Sequence, residues 1–323
     1  MKSVSVVIPN YNGKSLLEEN LPTVFLALKK LENSDFEVVV ADDASTDDSV
    51  SFLRAVYPQV VLIENRKNLG FSGNINSGLK AASKDLILAL NSDVKLDENY
   101  FLDQMKYFAQ QDVFGVMGTI MDPRNSKITD TAKYPVQTLF GVIQSTLNAT
   151  NEEKGLPTFF LSGANALMDR KKLSQIGYFN EIFSPFYGED VDLGMRAWRM
   201  GWKSYYEPKS ICYHEISSTI LSSHKKKTVK KISRRNKFVF HDLHLTSVKR
   251  FLFFSKLALD LMIRWIAFDF GFYSSFFEYL KRKKSISAYK KSFEELNPKL
   301  SAQEALLLIQ KEMRKSSLKF LNQ

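Results

Sequence analysis

The sequence predicts an α/β fold: a doubly wound, mainly parallel sheet with helices on both faces, followed by a basic helical extension. Three observations carry that expectation. Apolar runs of strand length alternate with helical periodicities through the first 120 residues, the pattern of successive βαβ units. The runs are continuous rather than alternating, as strands covered on both faces are. The charge is also divided. Residues 1–220 carry 22 Lys+Arg against 27 Asp+Glu, whereas residues 221–323 carry 23 against 8.

The elements follow in order. Residues 4–8 form a short valine-rich strand that meets Pro9, a strand and loop rather than a signal peptide. Leu16, Leu17, Leu21, Val24 and Leu28 recur at helical spacing and predict a helix over 15–31. A second strand covers 36–41. Ser45-Thr46-Asp47 reads as a cap opening a helix over 45–57. Strands over 60–64 and 86–90 flank a helix over 72–82, and 113–121 reads as a further strand. Residues 122–157 read as a polar, irregular connection. A helix over 191–200 has Trp198 and, just beyond it, Trp202 in core positions. The composition, 44% hydrophobic over 323 residues, supports a full-size core and excludes a disordered chain. One cysteine, Cys212, excludes an intramolecular disulfide and a multi-cysteine zinc site, and fits a reducing compartment.

Ligands bind open α/β sheets at the carboxyl ends of the strands. Three such ends are polar: Pro9-Asn10-Tyr11-Asn12, Asp42-Asp43 and Asn91-Ser92-Asp93. Each alone is ordinary turn chemistry. Together they gather three carboxylates and an aromatic ring around one crevice. No glycine-rich fingerprint follows the first strand. The glycines of Asn68-Leu69-Gly70-Phe71-Ser72-Gly73-Asn74 follow the third strand and lack a phosphate-cradle lysine. A nicotinamide dehydrogenase and a P-loop ATPase are thereby disfavoured. Glu189, Asp190 and Asp192 fall at a helix start, where carboxylates complement the helix dipole. Asp190 also adjoins Pro185-Phe186-Tyr187-Gly188, whose aromatics could flank a substrate.

The segments VSVVIPNYNG, VVVADDASTDDS, NLGFSGNINSGLKAA, LILALNSDVKL, FLSGANALMDR, FSPFYGEDVDLGMRAWRMGWK and the histidine of CYHEISST occur in this order over residues 3–219. In these the chain resembles the family-2 glycosyltransferases of the GT-A fold, in the branch similar to bacterial rhamnosyltransferases and galactofuranosyltransferases. The resemblance implies that Pro9 and Tyr11 line a base pocket, with Tyr11 stacked on a pyrimidine. Asp43 would accept from the base N3–H and Asp42 would support the base or ribose, the match not separating the two. Asn68, Gly73, Asn91 and Gly163 would join the nucleotide-sugar site, with Asn165 near the donor sugar. Asp93 would hold a divalent metal, Mg²⁺ or Mn²⁺, on the diphosphate, and His214 would complete its site. Asn91 stands where the family's motif has its first aspartate, so Asp93 is the one charged ligand of that triplet. Asp190 would be the catalytic base, with Glu189 its nearest competitor and Asp192 a candidate support for base or acceptor. His224, His241 and His244 read as structural.

The implied chemistry is coherent. Departure of a nucleoside diphosphate builds charge on phosphate oxygens, which a hard cation neutralises. One carboxylate base suffices for a single in-line displacement, which inverts the anomeric centre. The expected donor is a UDP- or dTDP-sugar, and the acceptor a hydroxyl of a growing cell-surface glycan or glycolipid. A nucleotidyltransferase of the same fold would be expected to have a glycine-rich, basic loop after the first strand, which PNYNG lacks. A non-catalytic membrane or nucleic-acid binding protein would not need Asp43, Asp93 and Asp190 intact.

The sequence divides at 220/221 into this catalytic part and a basic region. Eight Lys and Arg lie within 225–237 and four more in 281–284. Between them, 251–280 is apolar but interrupted by Lys256, Asp260, Arg264, Asp269 and Glu278, so it is no membrane span. Lys256, Asp260 and Arg264 share one face. Leu257, Leu261, Trp265 and Phe268 lie elsewhere around what reads as one amphipathic helix at a lipid interface. The basic clusters would add attraction to an anionic membrane surface. No nucleic-acid motif accompanies them. The expected location is cytoplasmic, peripheral on the inner face of the cell membrane.

Overall fold

The computed structural model describes residues 2–137, 143–151, 153–215, 225–266 and 268–321. The chain opens β1 (Val4–Asn10), α1 (Lys14–Lys29), β2 (Phe36–Asp42), α2 (Ser49–Val56), β3 (Val61–Glu64), α3 (Gly70–Ala81) and β4 (Leu86–Leu90). These strands pair in parallel in the order β3-β2-β1-β4. The order reverses at β1, which places a switch-point crevice at the carboxyl ends of β1 and β4. Alternation along β1 divides two cores. Val4, Val6 and Ile8 pack with Leu17, Leu21 and Val24 of α1. Val7 faces the other way, with Ile75 and Leu79 of α3. Gly78 lets α3 approach so closely that a Cβ there would lie 2.5 Å from Val7 Cγ1.

Next come β5 (Val94–Leu96), β6 (Val113–Met121), β7 (Ile128–Asp130), β8 (Ala132–Gln137), β9 (Ile143–Thr150), β10 (Leu156–Pro157), β11 (Asn165–Asp169), α4 (Arg170–Gln175), α5 (Glu189–Arg199) and β12 (Lys203–His214). Strand β11 inserts antiparallel between β4 and β6, and β12 runs parallel to β6. Trp198 is fully buried, its Nε1 donating to Thr158 O at 3.0 Å, and Trp202 packs against the same core.

The chain ends in α6 (Lys226–His244), α7 (Ser247–Ile266), α8 (Phe270–Leu280), α9 (Lys283–Glu294), α10 (Ala302–Lys315) and β13 (Lys319–Phe320). Phe238, Leu257, Tyr279, Ile309 and Met313 of these helices belong to the same buried cluster as Val7 and Trp198. The 220/221 division and His224 lie outside the described residues.

Three expectations need correction. The connection over 122–157 is not irregular: β8 and β9 pair antiparallel, and β13 from the far end of the chain completes a three-stranded sheet. Ala132, Tyr134 and Val136 alternate with Lys133, Pro135 and Gln137, as Leu147 and Ala149 do with Asn148 and Thr150, but Pro135 argues against a strand interior and masks that alternation. Helix α2 starts at Ser49 rather than residue 45. The Ser45 hydroxyl donates to Asp42 at 2.6 Å instead of capping a helix. The apolar run 251–280 is two helices, not one. Phe268 takes φ 52°, and Asp269 caps α8 by accepting from Phe272 N at 3.1 Å. Leu257 and Leu261 pack inward, whereas Trp265 is exposed. Among the described residues, no helix is long and apolar enough to cross a membrane.

Candidate active site

One end of the crevice is built from the ends of β1 and β2. Pairing sets Asn10 opposite Asp42, and Asn10 Nδ2 donates to Asp42 Oδ1 at 2.9 Å. Asp42 also accepts from Ser45 Oγ (2.6 Å) and Ser45 N (2.9 Å). It is buried and turned inward, so its support of a ligand would act through the loop it holds. Asp43 is turned to the other side. Its Oδ1 accepts from Leu69 N at 2.8 Å and its Oδ2 from Gly70 N at 3.0 Å. Burial raises its carboxyl above the usual range despite these donors. Pro9 is half-buried and Tyr11 stands 54% exposed at the rim, free to lie on a flat ring.

Asn68 is exposed and turns back to accept from Gly70 N at 3.0 Å. Gly70 takes φ 73°, and a Cβ there would lie 3.6 Å from Pro185 Cα, so this loop adjoins the one before α5. Gly73 is a packing residue: a Cβ there would fall 2.6 Å from that of Leu69. Gly163 lies over Phe71, with ordinary contact for an added Cβ at 3.5 Å. Asn165 is a correction. It is wholly buried, its Nδ2 donating to Gly118 O at 3.2 Å, because strand β11 points it into the sheet rather than toward a ligand.

The other end of the crevice lies at the carboxyl end of β4. Antiparallel pairing of β5 with β12 sets Val94 opposite His214, which carries the imidazole to the preceding residue, Asp93. His214 Nε2 lies 3.2 Å from Asp93 Oδ1. Two ligands held at right angles about 2.1 Å from one hard cation would be roughly 3.0 Å apart, so this pair fits adjacent positions on such an ion. Asn91 Oδ1, two residues before Asp93, is buried without a hydrogen-bond partner among the described residues and is a candidate third ligand atom. No group of three or more His, Cys, Asp or Glu side chains among the described residues could hold a metal by itself. Protein ligands this few suit an ion that draws its remaining oxygens from a bound diphosphate.

The first turn of α5 follows the loop that adjoins Gly70. Glu189 is buried, its Oε2 has no hydrogen-bond partner among the described residues, and burial with the charge of Asp190 pushes its carboxyl up to about 8. Burial also raises Asp190, but the Val191 N–H at 2.8 Å and the charge of Lys133 act against it. Glu189, pushed up to about 8, therefore keeps its proton at neutral pH. Asp192 belongs elsewhere. It is wholly buried and bonds Arg196 Nε at 2.8 Å and His244 Nε2 at 2.8 Å, tying α5 to α6. Burial would raise its carboxyl, yet those two partners hold it below the usual range. It is a structural ion pair, roughly 200° around the helix from Asp190 and so on a different face. His241 is likewise structural, stacked on Phe253 at 4.9 Å.

Two contributors were not legible in the sequence. Lys133, on β8, bonds Asp130 and Asn148 and adds the positive charge felt by Asp190. Burial lowers its own ammonium to about 8. It was missed because Pro135 masks the strand that places it. Asn236, on α6, holds the loop leading into α5. Its Nδ2 donates to the carbonyls of Phe183 (2.7 Å), Phe186 (2.9 Å) and Tyr187 (2.6 Å). Arg235 reaches the carbonyls of Phe183 (3.0 Å) and Ser184 (2.6 Å) beside it. The available signal was an asparagine in the apolar stripe Ile232, Val239, Phe240, where an unpaired amide would be costly.

Residues 5–177 match the family model described as Glycosyl transferase family 2. The chain is 25% identical over 240 residues to the N-acetylglucosaminyl-diphospho-decaprenol L-rhamnosyltransferase of Mycobacterium tuberculosis, covering 66% of this chain and 76% of that protein. It is 22% identical over 231 residues to the poly-beta-1,6-N-acetyl-D-glucosamine synthase of Staphylococcus aureus, covering 68% of this chain and 52% of the synthase. Among solved structures, GalNAc-T7 with UDP, GalNAc and Mn²⁺ superposes with a TM-score of 0.68 at 14% identity, over 98% of this chain and 57% of that one. The mannosyltransferase of Pyrobaculum calidifontis with GDP-Man and Mn²⁺ gives 0.54 at 17% identity, over 96% and 87%. These two likenesses bear on the fold.

Proposed function

The chain belongs to glycosyl transferase family 2, and from that membership and the cleft's geometry we propose an inverting, metal-dependent transfer from a UDP- or dTDP-sugar to a hydroxyl of a cell-surface glycan or glycolipid. The observation that carries the reading is the pairing of Asp93 with His214, 3.2 Å apart at the carboxyl end of β4, in a fold whose loop leading to Asp190 adjoins Gly70. The rhamnosyltransferase relative, whose name specifies a diphospho-decaprenol acceptor, favours a lipid-linked acceptor here.

In this mechanism Tyr11 and Pro9 bear on the base, and Asp43 Oδ2, which accepts one backbone N–H, has room for the base N3–H. Asp93, His214 and Asn91 would hold Mg²⁺ or Mn²⁺, which when bound offsets the charge developing on the departing diphosphate. Asp190 takes the proton of the acceptor hydroxyl as its oxygen attacks the anomeric carbon from the face opposite the leaving group. Neutral Glu189 beside it adds no second negative charge to repel the incoming oxygen. One displacement with one base inverts the anomeric centre. We place the enzyme peripherally on the cytoplasmic face of the membrane, where its basic third meets anionic lipid.

The experiment is nucleoside diphosphate release from a panel of sugar nucleotides, with and without a polyprenyl-linked acceptor. Release stimulated by acceptor, stopped by EDTA and restored by Mn²⁺ or Mg²⁺ is expected. Metal-independent release, or none with any donor, refutes the reading.

A further inference from the structure

We propose that the elbow between α7 and α8 inserts into an anionic lipid leaflet and holds the base-bearing side of the cleft against that surface. The proposal rests on the glycosyltransferase reading only for what the docked enzyme acts on. Ile263, Trp265, Ile266, Phe268 and Phe270 are each 61–77% exposed at this one turn of the chain. Scattered exposed apolar side chains are ordinary, but a contiguous cluster marks a contact surface. Exposed Val248, Phe251, Leu259 and Met262 continue this apolar surface back along α7.

The charges around the tip are matched within the protein. Lys256 pairs with Asp260 at 2.6 Å, and Arg264 with Asp269 at 3.1 Å. Paired charges enter a poorly solvated interface at far lower cost than single ones. Further positive charge lies along α6. Arg234 of α6 reaches Asp269 at 3.6 Å and covers Phe272 at 5.1 Å, which sets the middle of α6 against the elbow. The turns of α6 that precede Arg234 carry exposed Lys226, Lys227 and Lys230. A basic border around an apolar tip complements anionic headgroups. The same border repels an identical face, which favours lipid over a second copy of this chain.

The elbow is also close to the chemistry. Arg234 touches it, and the next two residues, Arg235 and Asn236, hold the carbonyls of the loop that leads to Glu189 and Asp190. An acceptor anchored in the leaflet would thus be presented beside the base.

The full chain is tested by co-sedimentation with phosphatidylglycerol-containing and pure phosphatidylcholine vesicles at low and high salt, with tryptophan fluorescence. Trp198 is fully buried and Trp202 partly so, which leaves Trp265 as the reporter. Binding to the anionic vesicles is expected, with a blue shift and quenching by brominated acyl chains, both lost in Trp265→Phe. Ile263→Ser with Ile266→Ser and Phe268→Ser should lower vesicle affinity on the order of a hundredfold. Because these side chains are exposed, donor turnover in solution should be unchanged. Lys226→Gln with Lys227→Gln and Lys230→Gln should cost on the order of tenfold to a hundredfold at low salt and flatten the salt dependence.

Protein left in the supernatant at low salt overturns the proposal. So does binding with Trp265 unquenched, or an elbow variant that binds like wild type. A concentration-dependent dimer abolished by the elbow substitutions would assign the face to a second copy instead. Absence of donor turnover by the wild type, with vesicle insertion intact, would sink the transferase reading and leave the membrane contact standing.

Discussion

Replacing Asn236 with alanine should loosen the loop that delivers the base. Asn236 Nδ2 lies 2.7, 2.9 and 2.6 Å from the carbonyl oxygens of Phe183, Phe186 and Tyr187. An amide nitrogen has two hydrogens, so three acceptors share them. A buried acceptor left unsatisfied costs about 1–3 kcal/mol, and two hydrogens' worth of lost bonding comes to about 2–5 kcal/mol. Stabilities of about 5–15 kcal/mol leave a folded protein after that loss. The loop has reason to move once freed. Tyr187 sits at φ 71°, a left-handed conformation that costs a non-glycine residue about 1–2 kcal/mol. Relaxation there shifts Glu189 and Asp190, and displacement of a catalytic group by about 1 Å can cost on the order of a hundredfold in rate. Asn236→Asp is the sharper variant. It keeps the acceptor for Arg235 Nε at 2.8 Å but turns a carboxylate oxygen toward three carbonyls. Urea denaturation gives the stability change, and steady-state transfer separates kcat from donor binding. The expected outcome is at least about tenfold lower kcat with donor affinity within about twofold, worse for aspartate than for alanine. An alanine variant within about 0.5 kcal/mol of wild-type stability and unchanged in kcat would refute the clamp.

Further outcomes follow from the same geometry. Asp190→Asn keeps size and removes basicity, and should lower transfer about 10²–10⁴-fold with donor binding kept, as isothermal titration would report. Turnover within a few-fold of wild type would reassign the base. Asp93→Ala should abolish metal-dependent donor binding and His214→Ala weaken it, measured by donor titration with and without Mn²⁺; identical titrations in EDTA would remove the metal. Glu189→Gln tests the buried proton. A carboxyl raised from 4.5 to about 8 makes the fold bind a proton that the unfolded chain releases, so wild-type stability falls as pH rises from 4.5 to 8. The glutamine variant should match wild type at low pH and gain on it, by an amount on the order of 4 kcal/mol, by pH 8. Parallel stability curves would mean that Glu189 ionises normally.

Much of the site was legible because local chemistry and strand ends coincide. Asp43, Asp93 and Asp190 each follow or precede an element whose periodicity is plain, so their place at the carboxyl ends of strands or at a helix start could be read directly. Local identity could not say which way a side chain turns. Asp42 and Asp43 are adjacent and alike, yet pairing of β1 with β2 turns the first onto Asn10 and leaves the second facing the loop at Leu69. Asp192 is two residues from Asp190 and, by helical rotation, belongs to a buried pair with Arg196 and His244.

What the sequence determined alone was whatever depends on short-range order: the βαβ succession, the polar strand ends, the acidic first turn of α5 and the segregation of positive charge. The tertiary structure decided what depends on partners far along the chain. Pairing of β8 with β9, completed by β13 from the far end of the chain, turns the 122–157 connection into a sheet whose β8 carries Lys133 toward Asp190. Asn236 closes onto a loop some fifty residues earlier, and the run 251–280 breaks at Phe268, so that one half of its apolar surface enters the core and the other stays exposed. A side chain's neighbours across such distances are set by packing, which leaves no period or spacing in the sequence from which to read them.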